Sequence, residues 1–170
     1  MNRVPELLEY LKEDMEHAVA AWKESISRAE TADLVPLFVD AKNSMQSKQK
    51  SLIVTYLRSS YITQSNQFGL TSYAGEVFVG EIAFWQRIGL AFLFDDVAAT
   101  MEQFTQKLQL FFIRVFSYEV EEVRRYYMEL LYQNSVCFFE IVLQNVEKAE
   151  VLIPVYFGEE MGKLVQIGEI

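Results

Sequence analysis

Between Gly89 and Pro154 the chain contains neither glycine nor proline, and two apolar stripes run through that tract at helical spacing. Val97, Met101, Phe104, Leu108, Phe111 and Val115 step by four and three, and Val120, Val123, Tyr127, Leu130, Asn134, Cys137 and Ile141 repeat the pattern. Residues spaced in this way share one face of a helix. A single helix of about fifty residues would far exceed the usual length of about 11–12. Ser117, followed by Glu119, Glu121 and Glu122, marks a fresh helix start. The reading is a helical hairpin over 97–117 and 119–147.

Val4, Leu8, Leu11, Met15, Ala18, Trp22 and Ile26 form one more stripe, with Pro5 in the first turn and Glu6 and Glu9 at the positive end of the dipole. This predicts a helix over 5–30. The next segment is apolar at both ends and polar at its middle, Asn43 to Ser51, and is read as one long helix over 34–62; a break near Ser47 is the alternative. Ile82 to Phe94 is almost wholly apolar around Gln86 and Arg87 and stops on Asp95 and Asp96. It is too short for a bilayer core, which takes about 20 residues, so the reading is a buried core helix over 82–94. Glycines and alternating apolar residues suggest β-hairpins over 66–80 and 151–168. The predicted fold class is mainly α, a bundle of four to five helices with one or two small hairpins. The alternative is an α+β domain in which those hairpins join into a small antiparallel sheet.

At 170 residues the chain is read as a single domain, 1–170. Its net charge of −9 repels phosphate backbones and anionic lipid, which argues against nucleic acid and membrane partners. One cysteine, Cys137, admits no internal disulfide, and the charged N-terminus lacks a signal-peptide core; both fit a cytoplasmic protein. Apolar residues make up 51% and aromatics 14%. The adjacent pairs Phe111-Phe112 and Phe138-Phe139 cannot both lie on one narrow stripe, so a third layer is required. It comes from within the chain or from outside it, which makes a homodimer or another protein partner the expectation.

Catalytic sets are sparse. The one histidine, His17, has no sequence-evident nucleophile, and it cannot supply the paired acid-x-x-His motifs of a di-iron bundle. No glycine-rich phosphate loop is present, and no cofactor is expected. Charges set among apolar residues are more informative: Arg58, Arg87, Arg114 and Glu140. A turn at Ser117 would bring Asp95, Asp96 and Glu140 to one end of the hairpin. There they are a solvated helix end, an ion-pair network with Arg87, or a divalent-ion site. Tyr56, Arg58, Ser59, Ser60, Tyr61, Thr63, Gln64 and Tyr73 form a second constellation, either an ordinary helix end or a site for a small anionic or aromatic ligand. The candidate ligand-binding residues are Arg58, Tyr61, Trp85 and Arg87. The functional expectation is a non-catalytic binding or regulatory module, acting through an aromatic-rich helical face with a possible small-ligand pocket. The alternative is a small carboxylate-dependent, metal-assisted enzyme.

Overall fold

The computed structural model describes residues 3–44, 50–57, 59–148 and 150–170, with the backbone alone at Lys50 and Tyr61. The chain opens with α1 (Val4–Ile26) and α2 (Val35–Asn43), then enters β1 (Lys50–Tyr56) and a single turn, α3 (Ser60–Thr63). Next come β2 (Gln67–Ala74), β3 (Glu81–Gly89) and a 3-10 turn at Ala91–Phe94. Three helices follow, α4 (Val97–Phe111), α5 (Ser117–Asn134) and α6 (Val136–Gln144), before β4 (Pro154–Glu159) and β5 (Leu164–Glu169). The strands form one five-stranded sheet in the order β3-β2-β1-β4-β5. β1 and β4 pair in parallel, whereas the other neighbours are antiparallel.

This is an α+β fold, which overturns the mainly helical bundle, and its mixed sheet is larger than the antiparallel alternative. The stretch read as a core helix over 82–94 is β3 followed by the 3-10 turn. Gly80 and Gly89 bracket a run short enough for a strand, and pairing with β2 satisfies its backbone. The helix predicted over 34–62 is α2, β1 and α3; the β-branched run Ile53-Val54-Thr55 packs better on a pleated surface than on a helix. The considered break near Ser47 lies outside the described residues. Within 66–80 only β2 is a strand, and its hairpin partner is β3. The helix predicted over 119–147 divides at Ser135, whose backbone N–H and hydroxyl both donate to the Leu131 carbonyl.

The two-residue period of the strands divides their side chains between the two faces of the sheet. Leu52, Val54 and Tyr56 of β1, Phe68 and Leu70 of β2, Ile88 of β3 and Val155 and Phe157 of β4 face the helices and join the main core. α6 lies on that face. Phe139 is fully buried, edge-on to Phe68 at 5.2 Å and tilted over Phe157 at 5.6 Å. Its neighbour Phe138 is equally buried against Phe92, with ring centres 5.5 Å apart. The third layer that this pair demanded is therefore supplied by the chain itself. Each such aromatic is worth about 1.5–3 kcal/mol in apolar burial. α1 packs along α5 and α4, burying Leu7, Leu11, Met15, Val19, Trp22 and Ile26. That stripe is rotated slightly from the predicted one, with Leu7 and Val19 inside in place of Leu8 and Ala18.

One buried charge ties the ends of two helices together. The Glu119 side chain has no solvent exposure and sits in the first turn of α5. Its Oε2 accepts the Phe116 backbone N–H at 2.8 Å and Nη2 of Arg3 at 3.0 Å, and its Oε1 accepts Nε of Arg3 at 3.2 Å. Burial alone raises the affinity of this carboxylate for a proton, but the Phe116 N–H and the Arg3 guanidinium outweigh it and hold Glu119 below the usual carboxylate range. A depressed native value makes the contribution full above the unfolded glutamate value of about 4.3. It is lost as pH falls through the native value. Glu119→Gln is expected to lower the melting temperature by a few degrees at neutral pH, and thermal scans should show the gap from wild type narrowing once pH drops below about 4.

Candidate functional site

The helices cover one face of the sheet only. On the other face the alternate residues line a cleft of about 380 Å³, at the lower end of the range for small-molecule sites. β1 and β2 form its floor. Thr55 and Thr71 lie there at 8% and 7% exposure, and Ile53 is fully buried between them and the neighbouring strands. Gly69, opposite Thr55, keeps the floor open: a Cβ on it would stand 3.1 Å from Thr55 Oγ1 and 3.9 Å from Trp85 Nε1.

β3 supplies one wall. Trp85 and Arg87 are two residues apart and so share its outer face. The Arg87 guanidinium stands 5.8 Å from the centre of the Trp85 ring, within cation–π reach. Above them the β2–β3 connection carries Phe78 over the cleft, 5.9 Å from Tyr73 in an edge-to-face contact. Phe78 adopts φ 64°, a left-handed conformation that is costly for a bulky residue and held here by the tight turn. That turn depends on Gly80, where a Cβ would come within 2.6 Å of the Ala74 carbonyl oxygen.

Glu160 supplies the opposite wall. Its backbone N–H donates to the Tyr56 carbonyl at 2.9 Å, which fixes the start of the β4–β5 turn beside β1. Burial, and then the negative charge of Glu160, push the Tyr73 hydroxyl above its ordinary value. Arg87 and Glu160 line the same cleft, yet among the described residues neither makes an ion pair, with the other or with any third group. The cleft thus holds a cation, an anion, three hydroxyls and the Gln67 amide between aromatic walls.

Of the predicted ligand residues, Trp85 and Arg87 are brought together in this cleft. Arg58 lies outside the described residues, as does the side chain of Tyr61. Tyr56 points the other way, into the core beside Tyr132, with ring centres 5.4 Å apart. The carboxylate cluster does not form. Asp95, Asp96 and Glu140 are all exposed, and no group of three potential metal-binding side chains exists among the described residues. The mirror counting that joined them assumed one continuous helix, whereas α5 ends at Asn134 and α6 begins at Val136. Asp96 does occupy the N-cap position of α4, but its side chain makes no capping hydrogen bond there. His17 is exposed on α1, and Cys137 is half-buried, donating its thiol to the Asn134 carbonyl.

The sequence reading missed Thr55, Gln67, Thr71, Phe78 and Glu160. The signal for Gln67 and Thr71 was their alternation with Phe68 and Leu70 in β2; Thr55 follows an unbroken apolar run, and Phe78 and Glu160 come from turns, so these three had none. No described helix is long and apolar enough to cross a membrane. Comparison of the chain with protein-family models, with curated proteins and with solved structures finds no match.

The two tryptophans report on opposite sides of the sheet. Trp22 is 8% exposed and donates its indole N–H to the Leu93 carbonyl at 2.6 Å, whereas Trp85 is 58% exposed. Trp85→Phe is expected to remove the acrylamide-quenchable, red-shifted emission with little change in stability. Trp22→Phe should keep that emission and cost about 1–3 kcal/mol in a denaturant titration, because the Leu93 carbonyl loses its buried donor.

Proposed function

We infer that the protein is a non-catalytic binding module whose small-molecule site is the cleft on the open face of the sheet. The single observation that carries this reading is a pair of opposite charges, Arg87 and Glu160, which have no ion-pair partner among the described residues and line one cleft with Trp85 and Phe78 over a floor kept clear by Gly69. Exposed charges that are not neutralised by the protein are available to a ligand's own charges, and an aromatic wall gives a ligand area to cover. The carboxylate-dependent enzyme has less support, because Asp95, Asp96 and Glu140 form no group that could hold a metal ion among the described residues. A cytoplasmic setting agrees with the lone Cys137, whose thiol is pushed up by burial and kept protonated.

For the interaction surface of such a module we choose the α4–α5 turn and the helix ends that flank it. Leu110, Phe111, Ile113, Phe116 and Tyr118 are exposed there together, Ile113 completely. At about 150–250 Å² per aromatic, the group presents several hundred Å² of apolar surface, which is the scale of an interaction patch. We assign it to a second copy of the chain. The turn bears Arg114, whose guanidinium stacks 4.6 Å over Phe116, so it meets its copy without adding to the acidic repulsion of the rest of the surface.

Two measurements test these assignments. In a thermal-shift panel of amino acids, aromatic carboxylates and nucleosides, at least one compound should raise the wild-type midpoint by a few degrees while leaving Gly69→Val, which fills the cleft floor, unmoved. A panel that shifts both proteins alike would place binding elsewhere. Light scattering on a sizing column should show a dimer at micromolar concentration that Phe111→Ser with Ile113→Ser converts to a folded monomer; a monomeric wild type would contradict the pairing.

A further inference from the structure

We propose that the ligand of the open-face cleft is a small zwitterion, carrying both an ammonium and a carboxylate on an apolar body, of the class of apolar α-amino acids or short apolar peptides. This rests on the binding reading above and adds the ligand's chemistry to it.

Arg87 stands on β3 and Glu160 follows β4, and β2 and β1 lie between those strands. Neighbouring strands are about 4.8 Å apart, so the two walls are separated by roughly 14 Å at the backbone. Both side chains line the space between, yet they do not close it with a direct ion pair. Two opposite charges facing one cleft across an open gap suit a molecule that carries both complementary charges. A purely anionic ligand would satisfy Arg87 and be repelled by Glu160, and a purely cationic one would meet the reverse.

The remaining lining fits the same class. The Arg87 guanidinium forks its donors toward a carboxylate in a way no lysine can, and it is held in place over the Trp85 indole. Trp85 Nε1–H leans toward the space left by Gly69, beside the Thr55 hydroxyl, and adds a second donor at the same end. The Glu160 end carries the Tyr73 hydroxyl, which stays protonated because burial and Glu160 itself raise its affinity for the proton. Between the ends, Ile53, Phe78, Ile82 and Trp85 are apolar. The polar groups beside them, the Thr55 and Thr71 hydroxyls and the Gln67 amide, are uncharged, so a further charge on the ligand body would find no counter-charge there. At about 380 Å³ the cleft admits an amino acid or a dipeptide and excludes a longer folded segment.

The test uses the intact protein and four probes: phenylalanine, leucyl-phenylalanine, phenylalanine amide, which lacks the carboxylate, and N-acetyl-phenylalanine, which lacks the ammonium. Protection of Trp85 from acrylamide and the melting midpoint are read together. One of the two zwitterions is expected to protect Trp85 and raise the midpoint, and each blocked derivative should bind at least about tenfold more weakly. Arg87→Gln should weaken the zwitterion to the level of the amide without weakening the amide further, and Glu160→Gln should do the same relative to the N-acetyl compound. Both side chains are exposed, so the unliganded melting points should stay near that of wild type.

If N-acetyl-phenylalanine binds as well as the zwitterions, the ligand class is wrong and the cleft is an anion site. If none of the four protects Trp85 but a nucleoside or another aromatic carboxylate does, the binding reading stands and the zwitterion proposal falls. If no compound protects Trp85, both fall.

Discussion

Phe139 decides which face of the sheet the helices cover. It reaches from α6 to Phe68 on β2 and Phe157 on β4, and it touches Phe38 of α2 at a ring-centre distance of 6.5 Å. Those contacts bracket β1, which lies between β2 and β4, so one ring holds the central strands and two helices in a single layer. With that face filled, the other face of the same strands is left uncovered by helices. The open face exists because the aromatic packing is one-sided.

The cleft follows from this asymmetry and from strand order. The parallel pairing of β1 with β4 inserts the C-terminal hairpin beside the centre of the sheet, which carries Glu160 to the rim opposite β3. A purely sequential meander would have set the two charges on neighbouring strands, where they could pair directly. Phe78 and Gly80 complete the enclosure by bending the β2–β3 connection back over the floor. The same economy explains the α4–α5 turn. Phe138 and Phe139 find two layers inside the chain, but Phe111 is 65% exposed and stacks on Tyr10 at its margin, 4.5 Å between ring centres. Its surroundings offer no second layer.

The helices were the legible part of the sequence. α1, α4 and α5 announce themselves by stripes that repeat every three and four residues, and the start of α5 was visible in Ser117 and the glutamates after it. Glu119 turned out to be the buried member of that group, which its spacing could not reveal. The strands were harder to read for a physical reason. β1 is buried on both faces, so Leu52, Ile53 and Val54 form a continuous apolar run with no period, as a buried helix would. β3 is an edge strand with aromatic residues on both faces, Phe84 on the inner and Trp85 on the outer, which blurs its alternation. Its length was the better guide, since Gly89 ends it after nine residues and the apolar run continues only through a separate turn. Trp85 and Arg87 were found because a cation among apolar residues is conspicuous in any secondary structure. Glu160 was not, because a glutamate in GEEMG looks like any turn residue until the sheet places it.

The central claim is that residues 81–89 are a strand whose outer face carries Trp85 and Arg87 over the β1–β2 floor. Backbone resonance assignment tests it most directly. The account expects extended secondary shifts from Glu81 to Gly89, cross-strand contacts pairing Gly69 with Arg87 and Thr71 with Trp85, and contacts between the Trp85 indole and Thr55. Helical shifts over that stretch, with sequential amide contacts and no cross-strand partners, would contradict it and remove the cleft along with the strand.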